Sequence, residues 1–218
     1  MKKKKIRFDI LTIFPQALDS YFDESLIKRA KEKGIVQIVL HNLRDYLSDK
    51  KERVDDRPFG GGPGMVLKIE PIYKVIKKII TRSKKKKRVI LFSTRGNKLD
   101  AKMAKRLAGY DQLILICGRY EGIDERVAEH IADEEVSLGD FVLSGGELPA
   151  AVLLEAVSRF IPDFLGKQES LEDIKGSYST YTRPVSFSPG KGKKSWDVPE
   201  VLRSGNHEKI RRFRNDVG

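Results

Sequence analysis

Two glycine-rich stretches have the composition of loops that bind a small molecule. Residues 117–122 read Cys-Gly-Arg-Tyr-Glu-Gly, and residues 137–149 read Ser-Leu-Gly-Asp-Phe-Val-Leu-Ser-Gly-Gly-Glu-Leu-Pro. Because glycine has no side chain, loops of this kind let the main chain approach a ligand closely. The apolar residues of the second stretch suit an apolar or adenine-like ring. Together the two stretches predict a small-molecule site built largely from backbone.

Each stretch also has a purely structural interpretation. Glu121 could accept a hydrogen bond from a ribose hydroxyl or an amine, or it could lie in the first turn of a helix and favour its dipole. Likewise, Gly145 and Gly146 before Pro149 could simply begin a helix. Either stretch taken alone leaves both interpretations open.

A third glycine-rich segment, residues 55–65, reads Asp-Asp-Arg-Pro-Phe-Gly-Gly-Gly-Pro-Gly-Met. It lacks the Gly-Lys-Ser/Thr ending of a nucleotide-binding P-loop, which argues against that class of site. Two adjacent aspartates followed by Arg57 could position a polar substrate. A solvated loop is the alternative.

Candidate acids and bases are carboxylates. Glu169, Glu172 and Asp173 lie in a stretch that gives no structural reason for acidic residues, and plain solvation is the alternative for them. The histidines are isolated in sequence, and no Cys/His spacing supports zinc. We expect His130 on a helix surface, and Cys117 as a buried thiol at the end of a strand.

The charge balance points to a polyanionic partner. The chain has 218 residues and a formal net charge of +12. Lysine and arginine concentrate at 2–5, 84–88, 191–194 and 211–214. Such clusters favour phosphate contacts and counterion release, as in nucleic-acid binding, and the alternative is a merely lysine-rich surface.

Composition also bears on where the protein works. With 39% hydrophobic and 34% charged residues, the chain has the composition of a globular protein, and no stretch has the apolar length of a membrane span. The first residues lack a secretory signal pattern. A single cysteine excludes an internal disulfide and fits a reducing compartment, so we expect a cytoplasmic protein without a membrane partner.

Apolar periodicity predicts an α/β fold with a mainly parallel sheet. In such sheets the ligand binds at the carboxyl ends of the strands, and Gly96, Gly118 and Gly145 are expected just beyond strand ends. Strands are predicted over 6–13, 35–40, 88–93 and 112–117, with 136–143 largely extended; helices are predicted over 20–33, 71–81, 99–108, 123–132 and 147–160.

Beyond residue 160 the periodicity stops. Residues 161–192 are rich in glycine, serine, proline and charge, which indicates a linker or a functional loop. Two short helices are predicted over 198–204 and 207–214. The chain is therefore divided into a main domain over 1–160, a linker or active-site loop over 161–192 and a small basic helical domain over 193–218.

Several segments, in the same order, resemble the bacterial tRNA (guanine-37-N1)-methyltransferase family, known as TrmD. The resemblance covers nearly the whole chain, and its specificity comes from the combination of segments. The matching segments are 55–65, 117–127, 137–150, 158–162, 181–184 and 204–207.

The resemblance implies the SPOUT fold, an α/β fold with a deep trefoil knot, followed by a small helical C-terminal domain. It also implies a homodimer with sites at its interface, a tRNA substrate and S-adenosylmethionine held in a bent shape by the knot loops. The positions that match the family's cofactor loops are Leu91, Phe92, Ser93, Thr94, Gly118, Tyr120, Glu121, Gly122, Ser137, Leu138, Gly139, Asp140, Phe141, Val142, Leu143, Gly145, Gly146 and Pro149.

The same resemblance assigns the chemistry. Asp173 matches the family's catalytic aspartate, and Arg159 matches its arginine partner. Guanine N1 carries a proton, which a carboxylate could remove as general base, while an arginine could stabilise the charge that moves onto O6. Substrate contacts are expected from Asp55, Arg57, Ser204 and His207. Magnesium is possible, because some family members are linked to it, although the sequence shows no ligand set.

Some positions depart from the family pattern. Thr94 stands where a proline is usual, Phe213 replaces a common tryptophan, and Ile174 follows Asp173 where Ser-Phe is usual. The alignment could therefore place the base at Glu172 or Glu169. Two other functions stay open at this point: a noncatalytic RNA-binding protein on the same scaffold, and a methyltransferase that acts on a ribose 2′-oxygen.

Overall fold

The computed structural model describes residues 4–49, 51–80, 86–165 and 178–216. The described residues up to Leu165 form one compact unit, and those from Tyr178 onward form a second. The finer division of the chain at residues 160 and 192 stays a prediction.

A parallel sheet of five strands forms the centre of the first unit, in the order β2-β1-β6-β5-β7. All four strand pairs in it are parallel, which confirms the prediction of an α/β fold with a mainly parallel sheet. Its strands are β1 (Ile6–Thr12), β2 (Val36–Asn42), β5 (Lys87–Lys98), β6 (Gln112–Ile116) and β7 (Glu134–Ser137), and a short antiparallel pair joins β3 (Asp55–Asp56) to β4 (Val66–Leu67).

Helices cover both faces of this sheet, so its central strands are buried on both sides and are nearly continuous apolar runs. On β6, Leu113 and Leu115 pack into one core cluster, while Ile114 and Ile116 pack into the other. The helices are α1 (Asp19–Phe22), α2 (Ser25–Glu32), α3 (Ile69–Ile79), α4 (Ala101–Leu107), α5 (Arg126–His130) and α6 (Glu147–Ser158), and short 3-10 turns lie at Pro15–Leu18 and Leu43–Tyr46.

The single helix predicted over 20–33 is wrong, because the chain breaks into α1 and α2. Glu24 is extended and Ser25 has a φ of 52°, a left-handed conformation that interrupts helical hydrogen bonding. Apolar periodicity carries no information about a single residue of this kind. The helix predicted over 123–132 is also shorter, since α5 covers only Arg126–His130.

The strands around the site differ from prediction as well. β5 was expected to end at residue 93, but it continues to Lys98 because Asn97 and Lys98 pair with β7 across a bulge. Gly96 therefore lies within a strand and not beyond its end. The extended stretch predicted over 136–143 ends as a strand at Ser137, and residues 138–143 form an irregular segment.

The second unit contains short elements. Strands β8 (Ser186–Phe187) and β9 (Trp196–Asp197) form an antiparallel pair, in which the rings of Phe187 and Trp196 lie 5.6 Å apart. Helices α7 (Glu200–Arg203) and α8 (His207–Asp216) follow, close to the positions predicted for them. None of the helices within the described ranges is long and apolar enough to cross a membrane.

Candidate active site

A cavity of about 460 Å³ lies at the carboxyl edge of the parallel sheet. Its walls come from β5, from the turn after β6, and from β7 with the segment that follows it. Ligands of open parallel sheets bind at this edge. Every position assigned above to the cofactor lines the cavity except Gly139 and Asp140. The role of these positions toward a cofactor stays a prediction.

Gly139 and Asp140, the two exceptions, make their contacts outside the cavity. The carboxylate of Asp140 is exposed and pairs with Lys98 Nζ at 2.5 Å. The carbonyl of Gly139 accepts a hydrogen bond from Ser137 Oγ at 3.1 Å, and its own amide donates back to that oxygen at 3.2 Å. These two residues shape the turn after β7 and do not form part of the cavity wall.

The two glycine-rich stretches meet at one wall of the cavity. The amide of Gly146 donates to the carbonyl of Gly118 at 2.9 Å. A Cβ atom at residue 146 would lie 2.5 Å from the Cα atom of Cys117, so the backbones could not approach this closely with a larger residue. Gly146 is also the N-cap of α6, which confirms the helix-start interpretation of this stretch, and its role toward a ligand stays a prediction.

The turn after β6 has an unusual backbone. Tyr120 has a φ of 61°, which is rare for a non-glycine residue, and Gly122 has a φ of 136°. Two hydrogen bonds fix the turn against a neighbouring segment: Glu121 N donates to the carbonyl of Met65 at 3.0 Å, and Leu67 N donates to the carbonyl of Gly122 at 3.0 Å. The third glycine-rich segment therefore ends beside the cavity.

Charged side chains line another part of the wall. Arg95 binds both carboxylate oxygens of Glu125, at 2.9 and 2.8 Å, and this hydrogen bonding raises the pKa of the arginine. Glu135 lies 3.8 Å from the same guanidinium. Its buried Oε2 atom has no hydrogen-bond partner among the described residues. Carboxylates on this wall suit a ligand that carries amines, hydroxyls or positive charge.

Arg119 was not among the predicted site residues, although it lines the same cavity. Its Nε atom donates to Glu147 Oε2 at 2.9 Å, and its guanidinium lies 4.8 Å from the centre of the Phe14 ring. The partner carboxylate lies 28 positions away in the chain. The sequence holds no periodic signal for such a pair.

The predicted substrate residues of the first unit differ in environment. Asp55 is buried, and Arg53 NH2 donates to its Oδ2 atom at 2.8 Å. Arg57 is exposed, and among the described residues its side chain has no hydrogen-bond or ion-pair partner. Arg57 is therefore available to a ligand, whereas Asp55 already has a partner.

Of the proposed catalytic pair, the structure describes only the arginine. Arg159 follows the last residue of α6 and is half-buried. Within the described ranges its guanidinium makes no hydrogen bond or ion pair. Asp173 and the alternatives Glu172 and Glu169 lie outside the described residues.

The other two predicted substrate residues belong to the second unit. Ser204 Oγ donates to the carbonyl of Val201 at 2.8 Å and accepts from Asn206 N at 3.2 Å, which forms the turn between α7 and α8. His207 is exposed at the first position of α8. The structure thus gives Ser204 a local role, and its contact with a substrate stays a prediction.

Cys117 and His130 are the remaining residues for which the sequence predicted an environment. Cys117 is fully buried directly after β6, as predicted, and burial raises the pKa of its thiol well above the usual value, with a further contribution from Glu147. His130 ends α5 with an exposed side chain, as predicted. In the part of the chain that the structure describes, no group of three or more His, Cys, Asp or Glu side chains is placed to hold a metal ion.

Comparison with known proteins gives a consistent result. The family model described as tRNA (Guanine-1)-methyltransferase TrmD matches residues 6–217. A tRNA (guanine-N(1)-)-methyltransferase of Geobacter sulfurreducens is 50% identical over 214 residues, which cover 96% of this chain and 84% of that protein. The corresponding protein of Clostridioides difficile is 46% identical over 217 residues, with coverages of 97% and 91%.

A solved structure agrees with these sequence relatives. The crystal structure of tRNA (m1G37) methyltransferase from Aquifex aeolicus aligns with a TM-score of 0.80 and 39% sequence identity. The alignment covers 98% of this chain and 92% of that one. The matches extend over both units and include the glycine-rich loops that line the cavity. The chain belongs to the tRNA (guanine-1)-methyltransferase TrmD family.

Proposed function

We propose that the protein transfers a methyl group from S-adenosylmethionine to N1 of guanosine 37 in tRNA, in the cytoplasm. The observation that carries this proposal is the cavity at the carboxyl edge of the sheet, built from the three segments that match the family's cofactor loops. The names of the relatives support tRNA as the substrate and guanine N1 as the target atom. The net charge of +12 supports binding of a polyanion.

The residues present fit S-adenosylmethionine. The cavity volume of about 460 Å³ lies within the usual range of small-molecule sites. The Gly118–Gly146 contact leaves the backbone bare where side chains would fill the space. Apolar residues such as Leu138 suit the adenine ring, while Glu121 and the Oε2 atom of Glu135, which accepts no hydrogen bond from the described residues, suit amines and hydroxyl groups. When bound, this group supplies an electrophilic methyl on a sulfonium.

The protein's own residues prepare the nucleophile. Guanine N1 is protonated at neutral pH, and we infer that Asp173 removes this proton as general base. Negative charge then moves toward guanine O6, where Arg159 donates hydrogen bonds to it. The lack of any described partner for the Arg159 guanidinium supports this role. Glu172 and Glu169 are the alternative positions for the base.

Polar residues in each of the two units are assigned to substrate binding. Arg57 is an exposed cation on the segment that ends beside the cavity, which supports a phosphate or base contact. Asp55 is buried and paired with Arg53, so its substrate role rests on its position in the segment 55–65 that matches the family. In the second unit, His207 opens the basic helix α8, and Ser204 shapes the turn before it.

The finer fold features also belong to this proposal. The match to the TrmD family over residues 6–217 and to the solved structure supports a deep trefoil knot in the first unit. The helices of the second unit support a small helical C-terminal domain.

A second copy of the chain is the proposed partner in a homodimer. Leu148 and Val152 are 63% and 47% exposed, and their spacing places them on one face of α6. In the segment before this helix, Phe141 and Val142 are 55% and 83% exposed. Exposed apolar side chains on one face of a helix support burial against a partner.

The product tests the proposed function. A tRNA transcript is incubated with the protein and S-adenosylmethionine and is then digested to nucleosides. The nucleosides are separated by chromatography and identified by mass spectrometry. We expect 1-methylguanosine as the modified nucleoside. A 2′-O-methylated nucleoside would show instead that the protein is a ribose methyltransferase. Binding of tRNA and cofactor without any methylated product would support the noncatalytic RNA-binding protein.

A further inference from the structure

Glu147 is a buried carboxylate that the proposed reaction does not use. It is the first residue of α6 and is 2% exposed. Its two oxygens have different donors: Thr12 Oγ1 donates to Oε1 at 2.5 Å, and Arg119 Nε donates to Oε2 at 2.9 Å. A buried ion pair generally contributes little net stability, because desolvation offsets the attraction between the charges. Stability alone is therefore a poor explanation for a charge at this position.

The arginine that Glu147 binds connects the two glycine-rich loops. Arg119 NH1 donates to the carbonyl of Ser144 at 3.2 Å, and the backbones of Arg119 and Gly145 form an antiparallel bridge. A Cβ atom at residue 145 would overlap the Arg119 side chain, so the loop lies directly against it. The position of the second loop thus depends on the conformation of one arginine side chain.

Glu147 fixes that conformation from the other side. Through Thr12 it is attached to the end of β1, a strand inside the sheet, and through Arg119 it reaches the loop after β6. Charge at Glu147 also contributes to the raised pKa of the neighbouring Cys117 thiol. Three segments that are distant in sequence are therefore joined at one carboxylate beside the cavity.

We propose that Glu147 is a positioning residue that preforms the cavity for S-adenosylmethionine by holding Arg119 across Gly145. This inference rests on the proposed function and adds a residue that determines cofactor affinity. A loop that is ordered before binding reduces the entropy cost of binding, so loss of the contact weakens binding without changing the reacting groups. Thr12 contributes to the same positioning, because its hydroxyl holds the carboxylate of Glu147 in place.

The test uses Glu147→Gln in the full-length protein. The amide keeps the side-chain volume but has only one acceptor oxygen, so it cannot accept from Thr12 and Arg119 as the carboxylate does. Calorimetry should show a dissociation constant for S-adenosylmethionine that is raised about tenfold or more, as expected for the loss of a charge-assisted hydrogen bond. With saturating cofactor, kcat should stay close to that of the unmodified protein.

Hydrogen exchange gives a readout that needs no cofactor. In the protein without ligand, amides of residues 138–146 should exchange faster in Glu147→Gln than in the unmodified protein. Val157→Ala is the matched control, because Val157 is fully buried on the same helix but packs in the apolar core. This control should lower Tm without changing the dissociation constant or the exchange of residues 138–146. Equal effects of both variants on affinity would overturn the positioning role.

A second set of variants keeps the test valid if Glu147→Gln does not fold. Thr12→Val removes the hydrogen bond to Glu147 and also the one that Thr12 Oγ1 accepts from Phe14 N at 2.9 Å, and it leaves the ion pair, so it should raise the dissociation constant about threefold. Thr12→Ser should restore the original affinity. If Glu147→Gln does fold, it should add little further loss in an Arg119→Gln background, because Glu147 acts through the arginine. Full additivity of the two losses would contradict the inference.

The outcomes separate this inference from the proposed function. If the unmodified protein does not bind S-adenosylmethionine, the proposed function fails, and hydrogen exchange still tests whether Glu147 orders the loop. If the unmodified protein binds the cofactor and Glu147→Gln shows the same affinity and the same exchange, only the positioning role of Glu147 is overturned.

Discussion

The amide of Gly146 donates to the carbonyl of Gly118 at 2.9 Å, and this contact joins two loops that are 28 residues apart in sequence. It sets the start of α6 against the end of β6 and leaves backbone, without side chains, at the wall of the cavity. The geometry allows only glycine at residue 146, since a Cβ atom there would lie 2.5 Å from Cys117 Cα and 2.9 Å from Gly118 N.

Gly146→Ala should therefore weaken cofactor binding. The added methyl group forces the two loops apart, and we expect the dissociation constant for S-adenosylmethionine to rise at least tenfold, measured by calorimetry. Gly109→Ala is the matched control, because Gly109 lies in the turn after α4 and does not line the cavity. An unchanged affinity in Gly146→Ala would show that the cofactor does not depend on this wall.

Asp173→Asn should remove turnover but leave cofactor binding intact. General-base catalysis contributes about 10²- to 10⁴-fold to a rate, so we expect kcat for methyl transfer to fall by at least 10²-fold. The dissociation constant for S-adenosylmethionine should stay within about twofold of its original value. Glu172→Gln and Glu169→Gln are the matched controls and should stay active. Loss of activity in one of them, with Asp173→Asn active, would move the base to that residue.

Arg159→Gln should lower kcat by about 10²- to 10³-fold, because a neutral amide cannot replace the guanidinium that stabilises charge on guanine O6. Single-turnover methyl transfer with saturating tRNA and cofactor measures this effect. Arg29→Gln is the control for net charge, since Arg29 is exposed on α2. A loss of tRNA affinity in Arg159→Gln with an unchanged single-turnover rate would assign the arginine to binding and not to the reaction.

Protonation of Asp9 should make the free energy of unfolding fall at acid pH. It is fully buried in β1, and burial alone would raise its pKa, but hydrogen bonds from His41, Arg7 and Gln112 outweigh burial and hold the pKa at about 2. Because the folded value lies below the ordinary 3.8, the stabilisation is complete above pH 4 and is lost as pH falls toward 2. The shift corresponds to about 2 kcal/mol in the free energy of unfolding.

Denaturant unfolding of the protein and of Asp9→Asn measures this contribution. The variant is less stable at pH 6, and the difference in free energy of unfolding should shrink by about 2 kcal/mol between pH 5 and pH 2. Other carboxylates titrate in both proteins, so the difference isolates Asp9. A difference that stays constant over this range would contradict the depressed pKa.

The sequence predicted the parallel sheet because its strands are buried on both faces and are therefore apolar runs separated by amphipathic helices. It could not predict features that depend on single backbone conformations or on distant partners. The break between α1 and α2 depends on the positive φ of Ser25. The extension of β5 to Lys98 depends on pairing with β7. Strands β8 and β9 have two residues each, too few to show an alternating pattern.

The candidate site was predictable where glycine marks it and was missed where long-range pairs form it. The loops at Gly118 and Gly146 are visible in sequence because close backbone approach requires this residue type. Arg119 was missed, since its partners Glu147 and Phe14 lie far away along the chain. The segment 138–143 was expected to be largely extended, but it does not pair in the sheet, and its apolar residues line the cavity: Leu138, Phe141, Val142 and Leu143.

Methyl transfer to matched tRNA transcripts tests the central claim most directly. One transcript carries guanosine at position 37, the other has this base replaced, and the label comes from the methyl group of S-adenosylmethionine. The account predicts label in the guanosine transcript alone, recovered as 1-methylguanosine. Equal labelling of both transcripts, or no labelling of either while calorimetry still shows bound cofactor, would contradict it.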